Sequence, residues 1–149
     1  MILVDTNVLV RSIERGHIHQ LPAINAMRFL RIDQDQEIVV VPQVLVELYA
    51  VCTRSQGGLA LSPDQAIGEI ASIKNNCRVF PEHPEIFTQW ENLVGKYKPK
   101  NRHVFDVRLV AAMLVHQIPQ LLSFNDQDFV KFTEIHVLNP FDVLKIPRV

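Results

Sequence analysis

The sequence contains few of the residues that mark flexible, disulfide-linked or membrane-embedded proteins. Only five glycines occur in 149 residues, and no repeat, low-complexity tract or linker divides the chain. Cys52 and Cys77 have no partner at a zinc-ligand spacing, which argues against a zinc module and predicts a reduced, cytoplasmic protein. The apolar stretch 38–53 includes Pro42 and Glu47 and is shorter than a bilayer requires, so we expect no membrane association.

Basic and acidic residues are nearly equal in number, 15 and 16 respectively. Net charge therefore does not predict binding to polyanions, and any affinity for nucleic acid must come from a local cluster. The length, together with a hydrophobic content of 48%, is sufficient for a core without disulfides. We expect one domain, residues 1–149.

Short apolar runs alternate with longer segments that carry helix signals. The predicted strands are the runs rich in Val, Ile and Leu at 1–4, 38–41, 77–80, 121–124 and 135–138. The predicted helices follow Pro22, Pro42, the Ser62 to Gln65 capping box and Pro84, with a fifth at 104–117. This alternation predicts an α/β fold, a three-layer α/β/α sandwich with a mostly parallel sheet of about five strands.

Acidic residues recur where such a sheet would place a ligand, beyond the carboxyl ends of its strands. Asp5 follows the first predicted strand, and Asp126 and Asp128 follow the fourth. Glu47 is the only charge in a long apolar stretch, and Asp106 lies in the first turn of the last long helix. Taken singly, each could be a turn or cap residue or, for Glu47, an ion-pair partner of Arg11 or Arg108. Taken together, they predict a cluster of carboxylates at one edge of the sheet.

Clustered carboxylates repel one another and are partly protonated unless a hard cation neutralises them. Mg²⁺ and Mn²⁺ prefer oxygen ligands, and no histidine or cysteine is needed for such a site. Carboxylate-only sites of this kind are typical of phosphodiester chemistry, in which the ion activates water and stabilises the leaving oxygen. The inferred reaction is metal-dependent hydrolysis of a phosphodiester.

Four motifs in this order resemble those of a known family. The stretches ILVDTNVLV, PQVLVELYAV, FDVRLVAAML and LLSFNDQDFVKF resemble the motifs of the PIN-domain ribonucleases. Within that superfamily the length and the last motif look most like the VapC toxins of type II toxin-antitoxin systems. The resemblance implies a Rossmann-like PIN fold, Mg²⁺- or Mn²⁺-dependent endoribonuclease activity, a homodimer and a small antitoxin partner that blocks the active site.

The resemblance also implies roles for individual residues. Asp5, Glu47 and Asp106 would form the acidic core, with Asp5 and Asp106 contacting the metal ion. The fourth acid is either Asp126 or Asp128. The polar positions of the first and last motifs, which would bind substrate or water, are Thr6, Asn7, Ser123 and Asn125. Many relatives have His directly before the third acid, whereas this chain has Phe105 there and His103 further upstream.

The segment KYKPKNRH, residues 96–103, is the best local candidate for attracting RNA. Lys98, Lys100 and Arg102 would contact the RNA backbone, and Tyr97 could stack on a base. Two other functions remain open for the same fold. One is a nuclease for DNA or structured nucleic acid outside a toxin-antitoxin system, and the other is a catalytically silent module that only binds protein. A haloacid dehalogenase-type phosphotransferase is excluded, since Asn7 stands where its second Asp is needed.

Overall fold

The computed structural model describes residues 1–149, in which five strands alternate with eight helices. The strands are β1 (Ile2–Val4), β2 (Ile38–Val40), β3 (Arg78–Val79), β4 (Gln120–Leu122) and β5 (His136–Leu138). The helices are α1 (Thr6–Ile13), α2 (Gln20–Ile32), α3 (Pro42–Thr53), α4 (Pro63–Asn76), α5 (Glu85–Tyr97), α6 (His103–Val115), α7 (Asp126–Phe129) and α8 (Pro140–Leu144). None of these helices combines the length and the apolar character that a membrane span requires.

The five strands form one parallel sheet in the order β3-β2-β1-β4-β5. β1 lies at its centre and pairs Leu3 with Val39 on one side and with Leu121 on the other. All three residues of β1 are completely buried, as expected for a strand covered on both faces. The predicted fold class is confirmed.

Helices cover both faces of the sheet. α1 packs against α2 and α3, and α3 also packs against α4. α5 and α6 pack extensively against each other, and the indole Nε1 of Trp90 donates a hydrogen bond to the Val104 carbonyl at 3.0 Å. Three of the eight helices, α1, α7 and α8, lie outside the segments for which the sequence predicts a helix. The sequence pattern did not predict α1, because this helix follows β1 after a single residue, Asp5, and has neither a proline nor a capping side chain at its start.

The predicted helix starts agree with the structure where a cap defines them. Ser62 and Gln65 form both bonds of the predicted capping box at the start of α4. The helix predicted after Pro22 begins earlier, at Gln20, and the helix predicted at 104–117 spans His103–Val115 instead. The early start of α6 matters for the site, because it places His103 and Asp106 one turn apart on the same face.

Candidate active site

A cleft of about 660 Å³ opens at the carboxyl edge of the sheet, where β1 and β4 end. Five carboxylates line it, of which Glu14 is paired with Arg11. The other four come from different segments of the chain: Asp5, Glu47, Asp106 and Asp128. Asp5 follows β1, Glu47 lies on α3, Asp106 on the first turn of α6 and Asp128 on α7. The fold therefore brings together at one edge the acids that the sequence predicts there, with Asp126 as the exception.

Asp5 is held at the end of the central strand. Its backbone N–H donates to the Leu122 carbonyl at 2.9 Å, which continues the pairing of β1 with β4 by one residue. Its Oδ2 accepts hydrogen bonds from Asn7 Nδ2 at 2.7 Å and from Ser123 Oγ at 2.6 Å. Burial raises the pKa of the Asp5 carboxyl to about 6; the bonds from Ser123 and the Thr6 backbone oppose this, while Glu47 and Asp106 add to it.

Asn7 and Ser123 connect the start of α1 to the loop after β4. The side-chain oxygen of Asn7 accepts from the Phe124 N–H at 3.0 Å, and Asn7 Nδ2 also donates to Ser123 Oγ at 3.0 Å. Ser123 Oγ in turn accepts from the Asn125 N–H at 3.0 Å. Both side chains therefore orient Asp5 while they fix the loop that carries the last motif.

Glu47 has hydrogen-bond partners but no ion-pair partner. Thr6 Oγ1 donates to Glu47 Oε2 at 3.0 Å, and Gln43 Nε2 donates to Glu47 Oε1 at 2.8 Å. The alternative of a salt bridge from Glu47 to Arg11 or Arg108 does not occur, because Arg11 pairs with Glu14 and Arg108 with Glu82. The negative charge of Glu47 thus remains available in the cleft.

Gln43 is a site residue that the sequence analysis missed. Its amide nitrogen also donates to the Phe105 carbonyl at 3.0 Å, and its oxygen accepts from Arg108 Nη1 at 3.0 Å. One side chain thereby ties Glu47 on α3 to the first turn of α6. The signal that could have identified Gln43 is its position one helical turn before Glu47, on the same face of α3.

Asp106 shares its surroundings with a histidine. His103 Nδ1 lies 2.9 Å from Asp106 Oδ2, and one potential ligand atom from each of His103, Asp106 and Asp128 lies within 4.8 Å of the other two. His103 and Asp106 are both partly exposed.

Asp126 lies outside the cleft. It is buried, and its carboxylate accepts from Asn139 Nδ2 at 2.9 Å and from both terminal nitrogens of Arg148, at 3.3 and 3.1 Å. Arg148 also pairs with Asp142. This ion pair neutralises the Asp126 charge away from the other acids. Of the two acids that the sequence left open, only Asp128 lines the cleft.

The cationic residues of the cleft are arginines. Arg102 lies on one side, as expected, together with Arg11 and Arg54. Lys98 and Lys100 are exposed and do not line the cleft, so their contacts with RNA stay a prediction for the loop outside it. Lys98 follows α5 in a left-handed conformation.

Tyr97 is not free to stack on a base. Its hydroxyl donates to Glu134 Oε2 at 2.6 Å, and its ring packs edge-on against Phe132 at 4.8 Å between centroids.

Arg54 lies at the start of a glycine loop that forms one wall of the cleft. A Cβ on Gly58 would lie 2.4 Å from the carbonyl oxygens of Val51 and Arg54, so the loop can pack against the end of α3 only with glycine there.

The residues present fit a divalent cation. Asp5, Glu47 and Asp128 form no salt bridge, and Asp106 pairs only with His103. Burial raises the pKa of the Asp5 carboxyl, the nearby carboxylates of Glu47 and Asp106 add to the rise, and no cation lowers it, so Asp5 lacks a counter-charge. Carboxylate oxygens are the ligands that Mg²⁺ and Mn²⁺ prefer, so a cation at this position would supply the missing charge.

The motifs and the geometry agree with a known sequence family. The pattern of the PIN domain family matches residues 2–135, which is most of the chain. The chain belongs to the PIN domain family. No curated protein sequence matches it closely enough to be assigned as a relative.

Solved structures share the fold of this PIN domain. The chain resembles the VapBC2 complex of Rickettsia felis bound to a promoter DNA fragment, with a TM-score of 0.68 and 14% identity over 93% of this chain and 98% of that one. It resembles VapC20 of Mycobacterium tuberculosis, a toxin that cleaves the sarcin-ricin loop, with a TM-score of 0.63 and 18% identity over 91% and 98%. DNA-bound VapBC from Salmonella typhimurium matches with a TM-score of 0.66 and 15% identity over 93% and 97%. At these identities the likeness demonstrates a shared fold.

Proposed function

We propose that this PIN domain is a divalent-metal-dependent endoribonuclease and the toxin of a toxin-antitoxin pair. The observation that carries the proposal is the cleft in which Asp5, Glu47, Asp106 and Asp128 meet without a cationic partner for Asp5. A structural role would favour paired carboxylates, as at Asp126, whereas four that share one cleft are costly to fold. Their arrangement is accounted for when a metal ion and a phosphodiester occupy the cleft.

In the proposed site, Asp5, Asp106 and Asp128 would hold Mg²⁺ or Mn²⁺. When bound, the ion supplies positive charge that acidifies an attacking water and stabilises the negative charge developing on the phosphate. Glu47, fixed by Thr6 and Gln43, orients the water for attack on phosphorus. No side chain acts as a covalent nucleophile.

The polar neighbours divide into two groups. Thr6, Asn7 and Ser123 already hold the carboxylates, so we assign them to orienting Asp5 and Glu47 and not to RNA. Asn125 is exposed at the rim of the cleft and Arg102 lies beside it, and these two face the substrate. Single-stranded RNA fits this arrangement, because the arginines that line the cleft can contact its phosphates and its unpaired bases remain open to recognition.

The proposed partner is a small antitoxin protein, and the proposed oligomer is a homodimer. The matched structures from Rickettsia felis and Salmonella typhimurium are VapBC complexes, and a third is a toxin-antitoxin complex from Klebsiella pneumoniae. If this chain acts in the same way, the gene of its antitoxin adjoins its own. Co-expression with the product of an adjacent small reading frame should then relieve growth arrest and yield a co-purifying complex.

The experiment that tests the activity compares single-stranded RNA with DNA of the same sequence. The purified protein is incubated with each oligonucleotide and with Mg²⁺, Mn²⁺ or EDTA. We expect cleavage of RNA that depends on the metal and is lost in Asp106→Asn. Cleavage of DNA alone would indicate the alternative nuclease, and binding of a protein partner without any cleavage would indicate a silent module.

A further inference from the structure

His103 occupies a position that the proposed mechanism does not use. It is the first residue of α6, and Asp106 follows it by one turn on the same face. Its imidazole contacts Asp106 at 2.9 Å and comes close to Asp128 across the cleft, from α7. The site therefore offers a nitrogen ligand beside its oxygen ligands.

The distances suit ligands of one ion. Adjacent ligand atoms of an octahedral ion with bonds of about 2.1 Å lie roughly 3 Å apart, and opposite ones about 4.2 Å apart. The 2.9 Å between His103 Nδ1 and Asp106 Oδ2 corresponds to adjacent ligands. The three ligand atoms of His103, Asp106 and Asp128 all lie within 4.8 Å of one another, so a single cation can reach all three after small rotations of the side chains.

We propose that His103 is a direct ligand of the metal ion, together with Asp106 and Asp128, and that this ligand set makes the site prefer Mn²⁺ to Mg²⁺. The inference rests on the proposed function for the presence of a metal ion in this cleft. Mg²⁺ is a hard cation that strongly prefers oxygen and retains several waters, whereas Mn²⁺ begins the transition series that accepts imidazole. Replacing one oxygen ligand by a nitrogen therefore penalises Mg²⁺ more than Mn²⁺.

The competing role for His103 is to position Asp106 by a hydrogen bond without touching the ion. His103→Asn separates the two roles, because the asparagine amide nitrogen can occupy the place of Nδ1 and donate to Asp106. A positioning residue is thus rescued by this variant, while an imidazole ligand is lost. His136→Asn is the matched control, since His136 is exposed at the amino end of β5, on the opposite edge of the sheet.

The test measures metal binding without RNA. Calorimetry gives the dissociation constants for Mn²⁺ and Mg²⁺, and pulsed electron paramagnetic resonance of bound Mn²⁺ detects coupling to a ¹⁴N ligand nucleus. We expect wild type and His136→Asn to bind Mn²⁺ at least about tenfold more tightly than Mg²⁺ and to show ¹⁴N coupling. His103→Asn should lose the coupling and most of the preference, and Asp128→Asn should lose Mn²⁺ binding in the cleft.

The proposal is overturned if Mn²⁺ binds to wild type without ¹⁴N coupling, if His103→Asn keeps the Mn²⁺ preference, or if neither ion binds. These outcomes are distinct from failure of the proposed function. RNA cleavage without nitrogen coupling would leave the nuclease intact and refute the ligand. Nitrogen-coupled Mn²⁺ without any RNA cleavage would support the ligand and refute the nuclease.

Discussion

Asp5 is the residue on which the acidic site depends. The apolar run before it forms the central strand, and the strand's burial delivers the carboxylate to the edge of the sheet with almost no contact to solvent. Two hydrogen-bond donors stabilise its ionised form, yet burial and the neighbouring acids still raise its pKa to about 6. A protein tolerates such a residue when something other than folding requires its charge.

Asp5→Asn should stabilise the metal-free protein at neutral pH. The pKa of the Asp5 carboxyl is about 6 in the folded state, compared with 3.8, its ordinary value, in the unfolded chain. The folded state therefore binds the proton more tightly, so Asp5 contributes stability below pH 3.8, and this contribution is lost as the pH rises through 6. The loss is on the order of 2 to 3 kcal/mol. Asparagine removes the charge and can still accept hydrogen bonds from Ser123 and Asn7.

Urea unfolding in EDTA at pH 4, 6 and 7.5 measures this effect. The stability of wild type relative to Asp5→Asn should fall over that range, and added Mn²⁺ should then stabilise wild type more than the variant. Glu91→Gln, at an exposed carboxyl of α5 that forms no salt bridge, serves as the control for general effects of charge. A variant that is less stable than wild type at pH 7.5 without metal would contradict the account of Asp5.

Mutation of the two acids of the last motif should affect different properties, catalysis for Asp128 and stability for Asp126. Asp128→Asn removes a carboxylate from the cleft, so we expect kcat for RNA cleavage to fall by about 100-fold or more with little change in stability. Asp126→Asn weakens a partly buried ion pair with Arg148, so we expect a lower unfolding midpoint and nearly normal kcat at low temperature. Steady-state kinetics and thermal unfolding of both variants check this, and the reverse pattern would assign the fourth acid to Asp126.

At the scale of elements, the site is a meeting of β1, the loop after β4, and the starts or faces of α1, α3 and α6. Gln43 connects two of these helices, because it contacts Glu47 on its own helix and Phe105 and Arg108 on α6. Gln43 thus links the position of Glu47 to the first turn of α6, which carries Asp106.

Gln43→Ala should lower kcat by about tenfold and change KM for RNA little, because the variant loses the orientation of Glu47 and keeps the acids themselves. Val46→Ala is the matched control: Val46 lies on the same helix and is 69% exposed. Steady-state kinetics on a defined RNA oligonucleotide measures both constants. A fall in kcat that is equal in the two variants would show that the effect comes from α3 as a whole.

The sequence predicted the elements of the site better than the contacts between them. Alternating apolar runs and proline or capping signals are local, and they located five strands and the helices that carry Glu47 and Asp106. The contacts of Gln43 with α6 and the pairing of Asp126 with Arg148 join residues 22 to 65 positions apart. No periodicity encodes such pairs, and this is why Asp126 and Asp128 could not be separated before the loop after β4 was placed.

At the scale of the whole molecule, the proposed function requires a chain with a net charge of −1 to attract RNA, a polyanion, to an acidic cleft. The arginines that line the cleft resolve this, because the charge that matters is local and Arg102 forms no salt bridge with any acid. Lys98 and Lys100, which are predicted to share this role, are exposed in the same loop and do not line the cleft.

Arg102→Gln and Lys100→Gln form a matched pair that tests this difference. Binding of single-stranded RNA is measured in the Asp106→Asn background at several salt concentrations. We expect Arg102→Gln to weaken binding and to reduce the slope of log K against log salt by about 0.7, the effect of one phosphate contact. Lys100→Gln should leave the slope almost unchanged, and equal effects would place the RNA path along the loop and not in the cleft.

The central claim is that water attacks phosphorus in the cleft of four acids. It is tested most directly by cleaving RNA in H₂¹⁸O with Mn²⁺ and examining the products by mass spectrometry. The account predicts that every new phosphate end carries one ¹⁸O and that no 2′,3′-cyclic phosphate forms at any time. It also predicts that EDTA abolishes cleavage. Accumulation of a 2′,3′-cyclic phosphate, or cleavage that continues in EDTA, would contradict it.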